Sequence, residues 1–99
     1  DGMTPAEGAA QEAFEEAGIK GKAIDQCLGL YSYVKTLPRQ TALPCLVMVY
    51  PVKAKKIVDS YREAGQRRRK WMSPKKAAGR VAEPELAHIL RTFDARHLR

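Results

Sequence analysis

Residues 2–19 have the sequence Gly-Met-Thr-Pro-Ala-Glu-Gly-Ala-Ala-Gln-Glu-Ala-Phe-Glu-Glu-Ala-Gly-Ile. Thr4 and Glu7, with a proline directly after the threonine, predict a helix entry, because each residue can bond the backbone amide of the other. The residues that follow are mostly strong helix formers, and Gly18 stands where a left-handed cap would end the helix. We therefore predict a helix over residues 5–17.

Three glutamates of this helix, Glu12, Glu15 and Glu16, are spaced as i, i+3 and i+4. This spacing places them on one face of the helix, within about 5–6 Å of each other at Cβ. The helix contains no lysine or arginine to compensate their repulsion. Such a group of hard oxygen ligands suits Mg²⁺ or Mn²⁺, although on spacing alone most such clusters are hydrated surface faces of a helix.

The same stretch resembles the signature of the Nudix hydrolases, G-x5-E-x7-R-E-U-x-E-E-x-G-U, where U is an apolar residue. Aligned at the end of the signature, the three glutamates and Gly18 fall on its E, E, E and G positions. Ala13 and Ile19 fall on the apolar positions. The resemblance implies that Glu12, Glu15 and Glu16 are the ligands of a Mg²⁺ or Mn²⁺ ion.

Two positions differ from this signature. Gln11 stands at the arginine position and Met3 at the first glutamate position, while the opening glycine would precede Asp1. Gln11 cannot form the ion pair by which the family's arginine orients a neighbouring carboxylate. The three-carboxylate group itself is intact.

The resemblance also carries expectations about fold and activity. It implies an α/β protein, an α/β/α sandwich with a mixed sheet, of which residues 1–99 would be a single domain. The chain would cover the C-terminal two-thirds of such a domain, with its first strands missing. It further implies a pyrophosphohydrolase that uses Mg²⁺ to cleave a diphosphate linkage. Its substrate would be a nucleoside diphosphate derivative, a dinucleoside polyphosphate or a diphosphoinositol polyphosphate.

The rest of the chain shows further strand and helix signals. Residues 27–35 and 44–52 are rich in aromatic and β-branched residues and predict an antiparallel pair. The run 45–50 is apolar at both alternating sets of positions, which is typical of a strand covered on both faces. A short strand over 69–72 is also predicted. Two further helices are expected, over 74–81 and from Pro84 onward, the second with an apolar stripe of Leu86, Ile89, Leu90 and Phe93.

Charge is distributed unevenly along the chain. The net charge is +7, yet residues 1–19 hold five acids and no base, and all 18 lysines and arginines follow. Residues 53–70 are strongly basic and are expected to form a loop. We predict that its arginines and lysine bind phosphate groups, namely Arg67, Arg68, Arg69 and Lys70.

The catalytic residues expected from the sequence are Glu15, Glu16 and Glu63. Glu63 is the only acid in residues 60–82 and is the candidate general base, although a solvated glutamate among arginines would look the same in the sequence. The tyrosines on the predicted strands could border a substrate ring, but strand aromatics also pack into cores.

No apolar run of the roughly 18 residues needed to cross a bilayer occurs, and no signal peptide is recognisable. We expect a cytoplasmic protein that acts on a phosphorylated small molecule and not on a membrane. Two alternatives stay open. One is a Nudix-like domain without activity, used for binding. The other, less favoured because it leaves the acidic helix unexplained, is a basic module that binds nucleic acid around Trp71.

Overall fold

The computed structural model describes residues 2–99, and Asp1 lies outside the described residues. Three α-helices and four β-strands form within this range. In chain order they are α1 (Pro5–Ala17), β1 (Ile19–Ala23), β2 (Gly29–Leu37), β3 (Thr41–Val49), β4 (Val52–Ile57), α2 (Pro74–Ala78) and α3 (Pro84–Thr92). The predicted mixture of helix and strand is therefore confirmed.

Helix α1 begins and ends where the sequence predicts. The Thr4 amide donates to Glu7 Oε1 at 2.9 Å, and the Glu7 amide donates to Thr4 Oγ1 at 3.1 Å, which completes the capping box. Gly18 ends the helix in the left-handed region at φ 70°. A β-carbon at Gly18 would also collide with the carbonyl of Val58, so only glycine fits here.

Strands β2 and β3 form an antiparallel hairpin with Gly29 opposite Val49 and Leu37 opposite Thr41. The predicted pairing is confirmed, although both strands lie two or three residues nearer to the connecting turn than predicted. The turn itself is a 3-10 segment, Pro38–Gln40, in which two residues have positive φ angles. Because this turn is only three residues long, both strands extend closer to it than the sequence predicted.

One face of this hairpin is exposed. It carries Leu30, Val34, Leu46 and Met48, and Leu46 retains 69% of its accessible surface. The expectation that the apolar run 45–50 is covered on both faces was therefore wrong for the described residues 2–99. The opposite face, with Tyr31 and Val47, borders a cavity that also touches α1, and Leu46 and Met48 reach the edge of this cavity.

Strands β1 and β4 form a second antiparallel sheet that the sequence did not predict. Ile19 lies opposite Ile57 and Ala23 opposite Val52, with a register shift after Lys20. The expectation of a basic loop over 53–70 was therefore wrong for its first five residues. Lysines alternate with small or apolar residues in β1, and β4 contains three lysines among its six residues, so the charge obscured the strand pattern.

No strand forms over residues 69–72. A strand needs a neighbouring strand to accept and donate its backbone hydrogen bonds. Here Arg69 is joined to the end of α1 and to the segment after β4 by its side chain, which donates hydrogen bonds to the carbonyls of Ala17 and Val58. Trp71 is 73% exposed. The prediction of a short strand at this position was wrong.

Helices α2 and α3 pack on each other, and α3 also packs on β2. The Ser73 hydroxyl accepts from the Lys76 amide at 3.2 Å and starts α2, which ends before Gly79 and is shorter than the predicted 74–81. Ile89 of α3 is buried, while His88 is exposed. The buried hydrophobic residues of the described chain are few, and they are Ala6, Ala78, Ala87 and Ile89.

The four strands belong to two separate two-stranded sheets, β1 with β4 and β2 with β3. Helix α1 packs against β1 and β4. A mixed α/β architecture is thus established, whereas a single mixed sheet is not seen within residues 2–99. Across the same residues, no helix combines the length and apolar character needed to cross a membrane.

Candidate functional site

We call Glu12, Glu15 and Glu16 the carboxylate flank. All three lie in the second half of α1, where the helical repeat brings them to the same side. The side chains of Glu15 and Glu16 retain 29% and 39% of their accessible surface. They are therefore close enough to solvent to meet a ligand, yet partly covered by other parts of the chain.

A cavity of about 780 Å³ separates α1 from the hairpin. Its walls include Glu12 and Glu16 on one side and Tyr31 and Tyr33 on the other. The two tyrosine rings lie 6.4 Å apart at an angle of 32°. We call this space the tyrosine cavity. Two of the three predicted metal ligands, Glu12 and Glu16, thus share a cavity with a pair of tyrosine rings, for which the sequence allowed either substrate contact or a place in the core.

The carboxylates influence the tyrosines across this cavity. Burial raises the pKa of Tyr31, and the negative charges of Glu83, Glu12 and Glu16 raise it further. The phenol therefore stays protonated and keeps its O–H donor over the ordinary pH range. A neutral donor opposite two carboxylates is suited to contact a phosphate or hydroxyl group.

Residues 58–71, which we call the basic loop, follow β4 and return to the end of α1. The Glu63 amide donates to the carbonyl of Glu15 at 3.1 Å, and the Val58 amide donates to the carbonyl of Gly18 at 2.9 Å. These two backbone bonds fix the loop beside the carboxylate flank. They bring Glu63, selected in the sequence only as an isolated acid, next to Glu15 and Glu16.

Two arginines of the basic loop neutralise the carboxylate flank. Arg62 Nη1 lies 3.5 Å from Glu15 Oε1, and Arg67 Nη2 lies 3.5 Å from Glu16 Oε1. Arg67 Nε also donates to Glu63 Oε1 at 2.5 Å. The bond to Glu63 and the attraction of Glu16 raise the pKa of Arg67, so the guanidinium remains charged.

Arg69 has a different role from its neighbours. Its Nη1 donates to the carbonyls of Ala17 at 3.0 Å and Val58 at 2.7 Å, its Nη2 donates to Asp59 Oδ1 at 2.8 Å, and its guanidinium lies 4.9 Å from the ring centre of Tyr61. These contacts join the end of α1 to the start of the basic loop. The phosphate contact predicted for Arg69 would compete with them.

All four predicted phosphate-binding residues, Arg67, Arg68, Arg69 and Lys70, border a second cavity. It has a volume of about 830 Å³ and is lined by Arg68, Lys70 and Trp71, with Ile19 and Ile57 as apolar wall. We call it the tryptophan cavity. Arg67 and Glu16 border this cavity and the tyrosine cavity alike, so the two spaces meet at their ion pair.

Gln11 contacts the carboxylate flank directly. Its Nε2 donates to Glu15 Oε2 at 3.2 Å, while Arg62 approaches the other oxygen of the same carboxylate. Gln11 therefore orients Glu15 by a hydrogen bond from its amide group. The spacing of four residues carried this signal in the sequence.

The donor atoms of the flank have the right chemistry for a hard divalent cation, because all are carboxylate oxygens. The side chains of the flank are not, however, gathered around one point. Within residues 2–99, no three acidic, histidine or cysteine side chains are gathered closely enough to hold a metal ion. Glu15 and Glu16 face arginines instead, so side-chain rotation and exchange of these partners would have to accompany cation binding.

No model of a known protein family matches this chain, and comparisons with curated proteins and with solved structures likewise gave no match.

Proposed function

We propose that this chain is part of a Nudix-type pyrophosphohydrolase that cleaves a diphosphate linkage with the help of Mg²⁺ or Mn²⁺. One observation supports the proposal above others: Glu12 and Glu16 of the carboxylate flank border a cavity together with Arg67, and the basic loop brings Glu63 beside Glu15. Acidic ligands, a candidate base and phosphate-binding cations are then neighbours, as hydrolysis of a polyphosphate requires.

The reaction is the addition of water to one phosphorus and the breaking of its bond to the bridging oxygen, which yields two phosphate-bearing products. Glu12, Glu15 and Glu16 would hold the cation, which supplies charge neutralisation for the phosphate oxygens. Glu63 is the candidate to take a proton from the attacking water. Arg68 and Lys70 would hold the part of the substrate that is not cleaved.

The substrate class follows from the two cavities. Cations around the tryptophan cavity suit several phosphates in a row, and the tyrosine rings suit a sugar, inositol or base. Diphosphoinositol polyphosphates, dinucleoside polyphosphates and nucleoside diphosphate derivatives meet these conditions. We further propose that the two small sheets are parts of an α/β/α sandwich with a mixed sheet, and that the protein acts in the cytoplasm.

The test is a panel of these diphosphate compounds, assayed for release of phosphate or nucleotide with and without Mg²⁺, on the protein in its full natural length. Glu15→Gln and Glu16→Gln should each lose most turnover, because a neutral amide is a poor ligand for a hard cation. Asp25→Asn is the matched control, since Asp25 is an exposed acid outside both cavities. Turnover that needs no metal, or that survives both glutamine variants, would refute the proposal.

A second candidate is a Nudix-like binding domain without activity. It is favoured by the arginine partners of Glu15 and Glu16, which already neutralise the flank without a metal. Such a domain would bind methylenediphosphonate, a diphosphate analogue that resists hydrolysis, and would turn over no compound of the panel. Measurable Mg²⁺-dependent turnover rejects this candidate.

A further inference from the structure

Among residues 2–99, Arg67 is the cation that contacts both the carboxylate flank and the candidate base. It contacts Glu63 through Nε at 2.5 Å and Glu16 through Nη2 at 3.5 Å. Its side chain nevertheless keeps 52% of its accessible surface. The guanidinium thus stands between two carboxylates while its outer side is open to solvent and to both cavities.

The basic loop does not depend on Arg67 for its position. The amide of Glu63 bonds to the Glu15 carbonyl, the amide of Val58 bonds to the Gly18 carbonyl, and Arg69 holds the Ala17 carbonyl. None of these bonds involves the side chain of Arg67. That side chain can therefore leave Glu16 and Glu63 by rotating about its own bonds, without unfolding the loop.

A divalent cation at Glu16 would compete with this guanidinium, since both need the same carboxylate oxygens and two adjacent cations repel each other. We propose that Arg67 is the counter-ion of Glu16 and Glu63 in the metal-free protein, that Mg²⁺ displaces it, and that the displaced guanidinium then binds a substrate phosphate. The inference rests on the proposed function, which supplies the cation and the phosphate.

The ion pair is weak enough to be exchanged. Exposed pairs of this kind contribute little to stability, because solvent screens them and long side chains lose freedom in forming them. A released guanidinium presents a planar fork that matches phosphate oxygens. Because Arg67 borders both the tyrosine cavity and the tryptophan cavity, it is already at the junction where a polyphosphate would pass.

The first experiment measures cation uptake without any substrate. Mn²⁺ and Mg²⁺ are titrated by calorimetry into the full-length wild type, Arg67→Gln and Arg68→Gln. Arg68→Gln removes the same charge one residue away without breaking a contact to the flank, so it corrects for general electrostatics. We expect Arg67→Gln to bind the cation about twofold to fivefold more tightly than Arg68→Gln, the range expected when an exposed ion pair no longer competes.

The second experiment measures binding of methylenediphosphonate with and without saturating Mg²⁺. Arg67→Gln should weaken binding on the order of tenfold with Mg²⁺, because a charge-assisted hydrogen bond is lost, and should leave it unchanged without Mg²⁺. Arg68→Gln should weaken binding in both conditions. In ¹⁵N spectra of arginine side chains, the Nε–H signal assigned with Arg67→Lys should shift on addition of Mg²⁺ alone.

The outcomes separate the two proposals. If the wild type takes up the cation and Arg67→Gln binds it no more tightly than Arg68→Gln, the displacement is refuted while the proposed function stands. Equal weakening of methylenediphosphonate binding by Arg67→Gln with and without Mg²⁺ also refutes it, since Arg67 would then be free at all times. Absence of cation uptake in every variant refutes both.

Discussion

At the scale of single residues, the same residue type has different roles within a few positions of the chain. Arg67 contacts two carboxylates, Arg68 borders the tryptophan cavity, and Arg69 bonds two backbone carbonyls and an aspartate. The sequence assigns all three to phosphate binding, because it shows charge and not contacts. The structure assigns partners, and these decide which arginine is available to a ligand.

Arg69→Met should lower the free energy of unfolding by about 1.5–3 kcal/mol, because hydrogen bonds from a charged donor to two carbonyls and a carboxylate are lost. The figure is measured by urea unfolding. Arg68→Met is the control and should change stability by less than about 0.5 kcal/mol. Equal stability of the two variants would contradict the role of Arg69 as a connection between α1 and the basic loop.

Gln11 is the other position where a single contact matters. Gln11→Ala removes the hydrogen bond to Glu15 Oε2 and should lower kcat up to about fivefold, the effect expected of one neutral hydrogen bond of about 1 kcal/mol. Gln11→Arg keeps a donor at the same spacing and should not lower kcat. If both variants lose activity equally, orientation of Glu15 by residue 11 is not what matters.

At the scale of elements, local signals predicted α1 and the hairpin but missed β1 and β4. Pairing of these strands places Lys20 opposite Lys56 and Lys22 opposite Lys53. Like charges directly opposite each other are unfavourable in a sheet, so a sequence reading disfavours this pair. Helix α1 packs against β1, and the Lys20 ammonium lies 5.6 Å from the ring centre of Phe14, so contacts with the helix offset the repulsion between the lysines.

The capping box of α1 predicts a pH dependence of stability. Hydrogen bonds with Thr4 lower the pKa of Glu7 below its ordinary value of 4.5. Because the folded-state pKa is the lower one, the ionised carboxylate stabilises the helix fully above about pH 4.5, and this contribution is lost as the pH falls through the folded-state pKa.

Glu7→Gln should therefore be less stable than the wild type at pH 7, and the difference should shrink as the pH falls through the folded-state pKa of Glu7. Thermal unfolding monitored by circular dichroism across this range measures it. The control is Glu85→Gln, whose carboxylate contacts Ser32 and lies outside the capping box. A difference between wild type and Glu7→Gln that stays constant with pH would contradict the assignment.

At the scale of the whole molecule, charge is separated between one acidic helix and a basic remainder. The net charge is +7 although α1 contains acids and no base. The basic loop folds back on the acidic helix, so part of this charge is neutralised within the protein. The cations that remain around the tryptophan cavity determine how strongly a polyanion is attracted.

Binding of methylenediphosphonate in saturating Mg²⁺ should therefore weaken several-fold between about 50 mM and about 200 mM salt, because salt screens exposed charges beyond about 10 Å. Calorimetry at matched free Mg²⁺ measures it. An oligonucleotide should not bind better than the small diphosphate. Strong salt-dependent binding of an oligonucleotide, with no Mg²⁺-dependent release of phosphate from the panel, would favour the nucleic-acid-binding alternative.

The sequence alone determined those structural features that depend only on residues within about one helical turn of each other. The capping box at Thr4, the cap at Gly18 and the common face of the three glutamates are of this kind, since helix geometry fixes them without the rest of the chain. The bond from Gln11 to Glu15 belongs here as well.

The tertiary structure alone decided how distant segments meet. It brought Arg69 to the carbonyl of Ala17 across 52 positions, placed Glu63 beside Glu15, and divided the strands into two sheets with an exposed hairpin face. Such contacts depend on backbone hydrogen bonds and packing between segments that are far apart in the sequence, and a local sequence pattern does not show which distant segments will meet. For that reason the carboxylate flank was readable in the sequence, and the arginines that neutralise it were not.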